Sequence, residues 1–146
     1  MPSIDNEVAS VKVPDPSYLV DPNFIEESGR SAFKILQSRL CPACVQKFEK
    51  SKYPSNLQFN DLRKCLQQSC SQVEDFVTPQ MPLLECVFRL LLASTNEPVT
   101  LAELHGQVIE LWSNAPWPRH ISAGSLERAL AGDTYYGIME LREGAK

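Results

Sequence analysis

Four cysteines in the first half of the chain have spacings that suit the coordination of a metal ion. Cys41 and Cys44 form a C-x2-C pair around Pro42, and Cys65 and Cys70 follow after a spacer of 20 residues. Two thiolates in such a turn can reach one tetrahedral ion at about 2.3 Å, and a second pair completes the shell. Because a reducing cytosol disfavours disulfides, the four cysteines predict metal ligands.

The second pair places a condition on the local structure. On a continuous helix Cys65 and Cys70 would point well apart, because each residue advances about 100° around the axis. We therefore expect the helix to break between them; otherwise Cys86, His105 or His120 supplies a ligand. A simpler interpretation is that Cys65 and Cys86 are buried small apolar residues, as free cysteines often are.

Zinc is the expected metal, because a small all-thiolate site that ties short helices together is typical of structural zinc. An iron–sulfur cluster is the alternative, since uneven spacings contributed by helices suit a larger group. A thioredoxin-type redox pair is disfavoured, because no predicted strand precedes the C-x2-C motif and no βαβ pattern surrounds it. Zinc with four thiolate ligands is closed to substrate, which argues against catalysis.

The elements that must position the cysteines are short helices. Residues 1–22 contain four prolines and predict an extended arm without regular structure. Residues 23–79 predict a helical, metal-binding region, in which one helix ends at Cys41 and Pro42 begins the next. Asn60 is a plausible N-cap for a helix from Asp61 to about Ser69. Residues 80–146 form the third predicted unit.

The third unit predicts three helices and then a strand. The first helix begins at Pro82, Thr100 and Glu103 form a capping box for the second, and Ser122 caps the third. Residues 134–141 predict the strand. This order resembles a winged-helix domain, and the predicted fold is mainly α, with one or two short strands. The resemblance implies that the third helix, which carries Arg128, contacts DNA or a protein.

Charge is unevenly distributed along the chain. Residues 30–64 hold eight basic and two acidic side chains, whereas residues 65–146 hold five basic and ten acidic ones. The basic stretch predicts either a polyanion-binding surface or a surface covered by the acidic N-terminal arm. The exposed-looking Trp117 could anchor a protein interface, or both tryptophans could cover the core. The candidate contacts are Lys47, Lys50, Lys52, Arg63, Lys64, Arg119, Arg128 and Trp117.

Together these patterns indicate a binding protein, since they include no catalytic grouping and no phosphate-binding loop. The first hypothesis is a metal-stabilised transcription regulator that contacts nucleic acid. The alternatives are a protein-interaction or assembly factor and an iron–sulfur redox or sensor protein. With no apolar run long enough to span a membrane and no targeting segment, we expect a cytoplasmic protein.

Overall fold

The computed structural model describes residues 15–50, 57–95, 97–117 and 119–141, so Lys52 lies outside the described residues. The helices are α1 (Pro22–Glu27), α2 (Ala32–Gln37), α3 (Pro42–Lys50), α4 (Phe59–Gln68), α5 (Leu83–Ala93), α6 (Leu101–Ser113) and α7 (Ala123–Ala131), with a 3-10 helix at Cys70–Gln72. The strands are β1 (Ser17–Val20), β2 (Val99–Thr100) and β3 (Ile138–Leu141). The prediction of a mainly α fold is confirmed.

The N-terminal segment is part of the sheet, so the prediction of an arm without regular structure is wrong for residues 17–20. Strand β1 lies between β2 and β3 and runs antiparallel to both. Its side chains alternate, with Tyr18 and Val20 almost fully buried. This period-two burial is what a strand needs in order to cover a core with one face.

Hydrogen bonds at both ends of β1 extend the pairing beyond the strand. The N–H of Leu101 donates to the carbonyl of Pro16, and the N–H of Asp21 donates to the carbonyl of Gly137, each at 2.8 Å. Gly137 has φ +72°, and a Cβ there would lie 2.8 Å from the Asp21 oxygen and from Ile25. The N-terminal and C-terminal segments therefore fold as one sheet.

A three-residue ion cluster joins the turn after α2 to α5. The guanidinium of Arg39 donates to Glu85 at 2.8 and 3.0 Å, and Arg89 donates to the same carboxylate at 2.8 Å. Burial opposes ionisation of Glu85, but the hydrogen bonds from both arginines outweigh it and lower its pKa to about 2. The hydrophobic core likewise runs from α2 through α4 to α5 without interruption among the described residues.

Side chains of α4 satisfy the carbonyls at the end of α5. Arg63 donates to the carbonyls of Leu91 and Leu92 at 2.8 and 3.2 Å. Gln67, one turn later, donates to the carbonyls of Leu92 and Ser94. A helix leaves its last four carbonyls without intrahelical partners, so these contacts fix α4 against the C-terminal end of α5.

Two of the predicted helix caps are confirmed in the third unit. The Thr100 hydroxyl accepts from the N–H of Glu103, whose carboxylate accepts from the N–H of Thr100, each at 3.2 Å. Ser122 accepts from the N–H of Ser125 at 3.1 Å. The cap of α4 is wrong by two residues: it is Gln58 rather than Asn60, because the helix begins at Phe59.

We expect Gly137→Ala to destabilise the protein by about 2 kcal/mol or more, because alanine is strained at positive φ and its methyl would meet Asp21 and Ile25. Urea unfolding measures the effect. Gly106→Ala is the control, since a Cβ there meets nothing within 4 Å in the middle of α6. That change should be neutral or stabilising, and equal effects at the two glycines would contradict the account.

We expect Glu85→Gln to lower the free energy of unfolding by about 1–3 kcal/mol at neutral pH, because it leaves two arginines poorly paired. The pKa of Glu85 falls from 4.5 to about 2 on folding. The stabilisation is therefore present above pH 4.5 and is lost as the pH falls from 4.5 towards 2. Parallel pH–stability curves for the parent and the variant below pH 4.5 would contradict this, with the exposed Glu110→Gln as control.

Candidate metal centre

The four cysteines lie at two places in the helical region: two at the start of α3, and two on α4 and the 3-10 helix that follows it. Cys41 lies between α2 and α3, and Cys44 lies in the first turn of α3. Cys65 lies on α4, and Cys70 begins the 3-10 helix that follows it. All four are buried, with at most 8% of any residue exposed. The folded chain therefore brings all of these sequence-distant cysteines into its core.

The helix break that this arrangement requires is present. Helix α4 ends at Gln68, and Ser69 has φ −120° and ψ −54°, outside helical geometry. The chain then turns into the 3-10 helix Cys70–Gln72. This change of direction brings Cys70 towards the same centre as Cys65, as the spacing predicted.

The sulfur atoms form one compact group. The Sγ atoms of Cys41, Cys44 and Cys70 all lie within 4.8 Å of one another. The Sγ of Cys70 is 3.4 Å from that of Cys44, and it accepts from the N–H of Cys41 at 2.9 Å. Three sulfurs are thus close enough to bind a single metal ion.

The fourth sulfur belongs to a disulfide, because Cys44 and Cys65 are joined to each other. The expectation that all four cysteines are thiols is therefore wrong for this pair. Cys44 is therefore within reach of two states, a disulfide with Cys65 and a metal ion shared with Cys41 and Cys70. The two states exclude each other at Cys44, since a metal ligand must be a thiolate.

The two free thiols of the group differ in acidity. Burial opposes ionisation of Cys41, but hydrogen bonds from the N–H of Cys44 and from the Cys70 thiol outweigh it and lower its pKa. Burial raises the pKa of Cys70 to about 11; the hydrogen bond from the Cys41 N–H opposes the rise, and the Cys41 side chain adds to it. The Cys41 sulfur is thus the better thiolate of the pair, with Cys70 as its S–H donor. A bound cation would favour the thiolate form of both.

The three predicted substitute ligands lie elsewhere. Cys86 is buried on α5, where its thiol is 3.6 Å from the carbonyls of Thr78 and Met81. His105 contacts the carbonyl of Ile121 at 2.7 Å and is a partly buried structural residue. His120 is exposed in the segment before α7. Among the described residues, the cysteines close enough to share a metal ion are Cys41, Cys44 and Cys70.

The predicted contact residues have different surroundings. Arg63 forms an ion pair with Glu97 at 2.7 Å in addition to its hydrogen bonds to the end of α5. Its guanidinium therefore stabilises the fold. Arg119 donates to the carbonyl of Pro79 and lies 3.9 Å above the ring of Trp112. Arg128 is exposed and donates to Ser125. Among the predicted contact residues, Lys47, Lys50 and Lys64 are exposed.

The two tryptophans also differ. Trp112 is buried, but 83% of Trp117 is exposed. Trp117, Pro116 and Pro79 line an open cavity of about 420 Å³. The prediction that the Trp117 loop is exposed is therefore confirmed, whereas the interpretation that both tryptophans cover the core is wrong.

If the sulfur group binds zinc, we expect Cys41→Ser to lower the free energy of unfolding of reduced protein in the presence of zinc by more than about 2 kcal/mol, because Cys41 is one of the three sulfurs close enough to bind the ion. Cys41 is a free thiol when Cys44 and Cys65 form a disulfide. The variant therefore distinguishes stabilisation by a metal ion from stabilisation by the disulfide. Cys86→Ser is the matched control and should have a milder effect. Parent-like melting of Cys41→Ser in the presence of zinc would count against the metal centre.

No helix in the described part of the chain has the length and apolar character to cross a membrane. No family model matches the chain, and no curated protein or solved structure matches it. The functional assignment therefore rests on the geometry of the cysteine centre and the exposed surfaces.

Proposed function

We propose that this chain is a non-enzymatic binding module whose core is organised by one zinc ion held by Cys41, Cys44, Cys65 and Cys70. The observation that carries the proposal is the gathering of these four cysteines into one buried group. Sulfurs around a tetrahedral zinc ion lie about 3.8 Å apart. The separations of up to 4.8 Å between three of the sulfurs favour a single ion over a larger iron–sulfur cluster.

A structural role follows from the ligand set. Four thiolates fill the zinc coordination shell and leave no position for substrate or water. The ion would join α3 to α4 and to the 3-10 helix that follows α4. Helix α4 also carries Arg63 and Gln67, which donate hydrogen bonds to the carbonyls at the end of α5. Zinc binding would thereby stabilise the surface that the C-terminal helices present.

The C-terminal helices would form a winged-helix-like unit. The order of the three helices α5, α6 and α7, followed by the strand β3, supports the resemblance to that family. The partner of β3 is β1, so the N-terminal strand would take the place of a second wing strand. Strand β1 contributes Tyr18 and Val20 to the core on one face of this sheet.

Nucleic acid is the first candidate partner. Exposed Lys47, Lys50 and Lys64 lie on the two helices that hold the cysteines, and Arg128 is exposed on α7. Contacts between such side chains and phosphates dominate nucleic-acid affinity and make it depend on salt. Each contact to a phosphate steepens the slope of log affinity against log salt concentration by about one, because about one counterion is released.

The test is a titration of zinc-loaded protein with duplex DNA and with single-stranded RNA at several salt concentrations. Lys50→Ala with Lys64→Ala should lower the slope of log affinity against log salt by about two. Lys34→Ala, exposed on α2, is the control and should leave the slope unchanged. Salt-independent or undetectable binding of both nucleic acids would contradict this partner.

A protein partner is the second candidate, and Trp117 favours it. A tryptophan that is 83% exposed beside proline is typical of the aromatic anchors of interfaces. If this candidate holds, light scattering should detect a defined oligomer or complex that Trp117→Ala abolishes. A monodisperse monomer that binds nucleic acid equally well with Trp117→Ala would exclude it.

A further inference from the structure

We propose that the cysteine centre is gated by oxidation: a peroxide joins Cys44 to Cys65 and thereby releases the metal ion. The inference rests on the zinc centre proposed above and assigns it a regulation. Its basis is that one residue, Cys44, belongs both to the three-sulfur group and to the disulfide. The same side chain therefore has two competing partners within reach.

Formation of the disulfide removes half of the ligand set. Cys44 and Cys65 lose their thiolates when their sulfurs bond, which leaves Cys41 and Cys70 as the free thiols of the group. Two thiolates are too few to hold zinc against water, since structural zinc sites have four protein ligands. Oxidation of one pair is therefore sufficient to release the ion.

The reaction balances with hydrogen peroxide as the oxidant. Of the two cysteines that form the disulfide, Cys65 is 5% exposed and Cys44 is fully buried, so within this pair the Cys65 thiolate reacts with the peroxide. It attacks one oxygen, the O–O bond breaks, and a sulfenic acid and hydroxide form. The Cys44 thiolate then attacks that sulfur, the S–S bond forms, and a second hydroxide leaves. The sulfurs lose two electrons, and the hydroxides take up two protons to become water.

The oxidised centre keeps its place in the fold. The disulfide still joins α3 to α4, and the N–H of Cys41 still donates to the Cys70 sulfur at 2.9 Å. Cys41 and Cys70 remain buried, and each takes up a proton when the ion leaves. Metal release in this scheme is a local event at the centre, with the helices retained.

The experiment treats reduced, zinc-loaded protein with one equivalent of hydrogen peroxide and follows zinc with a colorimetric indicator. We expect one zinc released per disulfide formed. Peptide mass mapping should place the disulfide between Cys44 and Cys65, and far-UV circular dichroism should keep its helical signal. Reduction with dithiothreitol followed by zinc should restore the loaded protein.

Cys86→Ser is the matched control, because Cys86 is equally buried but outside the cysteine group. It should release zinc as the parent does. Zinc retained after oxidation, or released with a different disulfide or with sulfinic acid, would overturn this inference and leave the zinc centre standing. Reduced protein that binds no zinc at all would overturn the proposed function and this inference together.

Discussion

The packing of four cysteines into one buried group is the constraint on which the arrangement of the helices depends. It fixes the turn between α2 and α3 against the break between α4 and the 3-10 helix. Arg63 and Gln67 on α4 donate hydrogen bonds to carbonyls at the end of α5, so the position of α5 depends on that of α4. A shift of α4 would therefore disturb both the cysteine group and the C-terminal helices.

The sheet closes the fold from the other side. Strand β1 covers the core with Tyr18 and Val20 and joins β2 to β3, so the two ends of the described chain meet. The buried carboxylate of Asp133 accepts from the N–H groups of Tyr135, Tyr136 and Ile138, which fixes the turn before β3. The protein is thus held at two places, the cysteine group and this small sheet.

Local patterns predicted much of this structure, because their physical causes are local. The cap at Thr100 follows from backbone geometry within one turn. The break between Cys65 and Cys70 follows from the helical period once both cysteines are required to face one site. Strand β1 could not be predicted, since four residues pair with segments about 80 and 120 positions away. The hydrogen bonds from Arg63 to the carbonyls at the end of α5 could not be predicted either, because the sequence does not show that α4 packs against that end of α5. The Cys44–Cys65 disulfide was missed because spacing alone does not distinguish neighbouring thiols from bonded ones.

X-ray absorption at the zinc edge of reduced protein tests the central claim most directly, because it counts and identifies the ligand atoms. A four-thiolate zinc centre should give four sulfur neighbours at about 2.3 Å and no nitrogen or oxygen neighbours. The same measurement on Cys41→Ser should lose one sulfur from the shell, and Cys86→Ser should keep all four. A parent spectrum with fewer than four sulfurs, or with iron–iron scattering at an iron edge, would contradict a four-thiolate zinc centre.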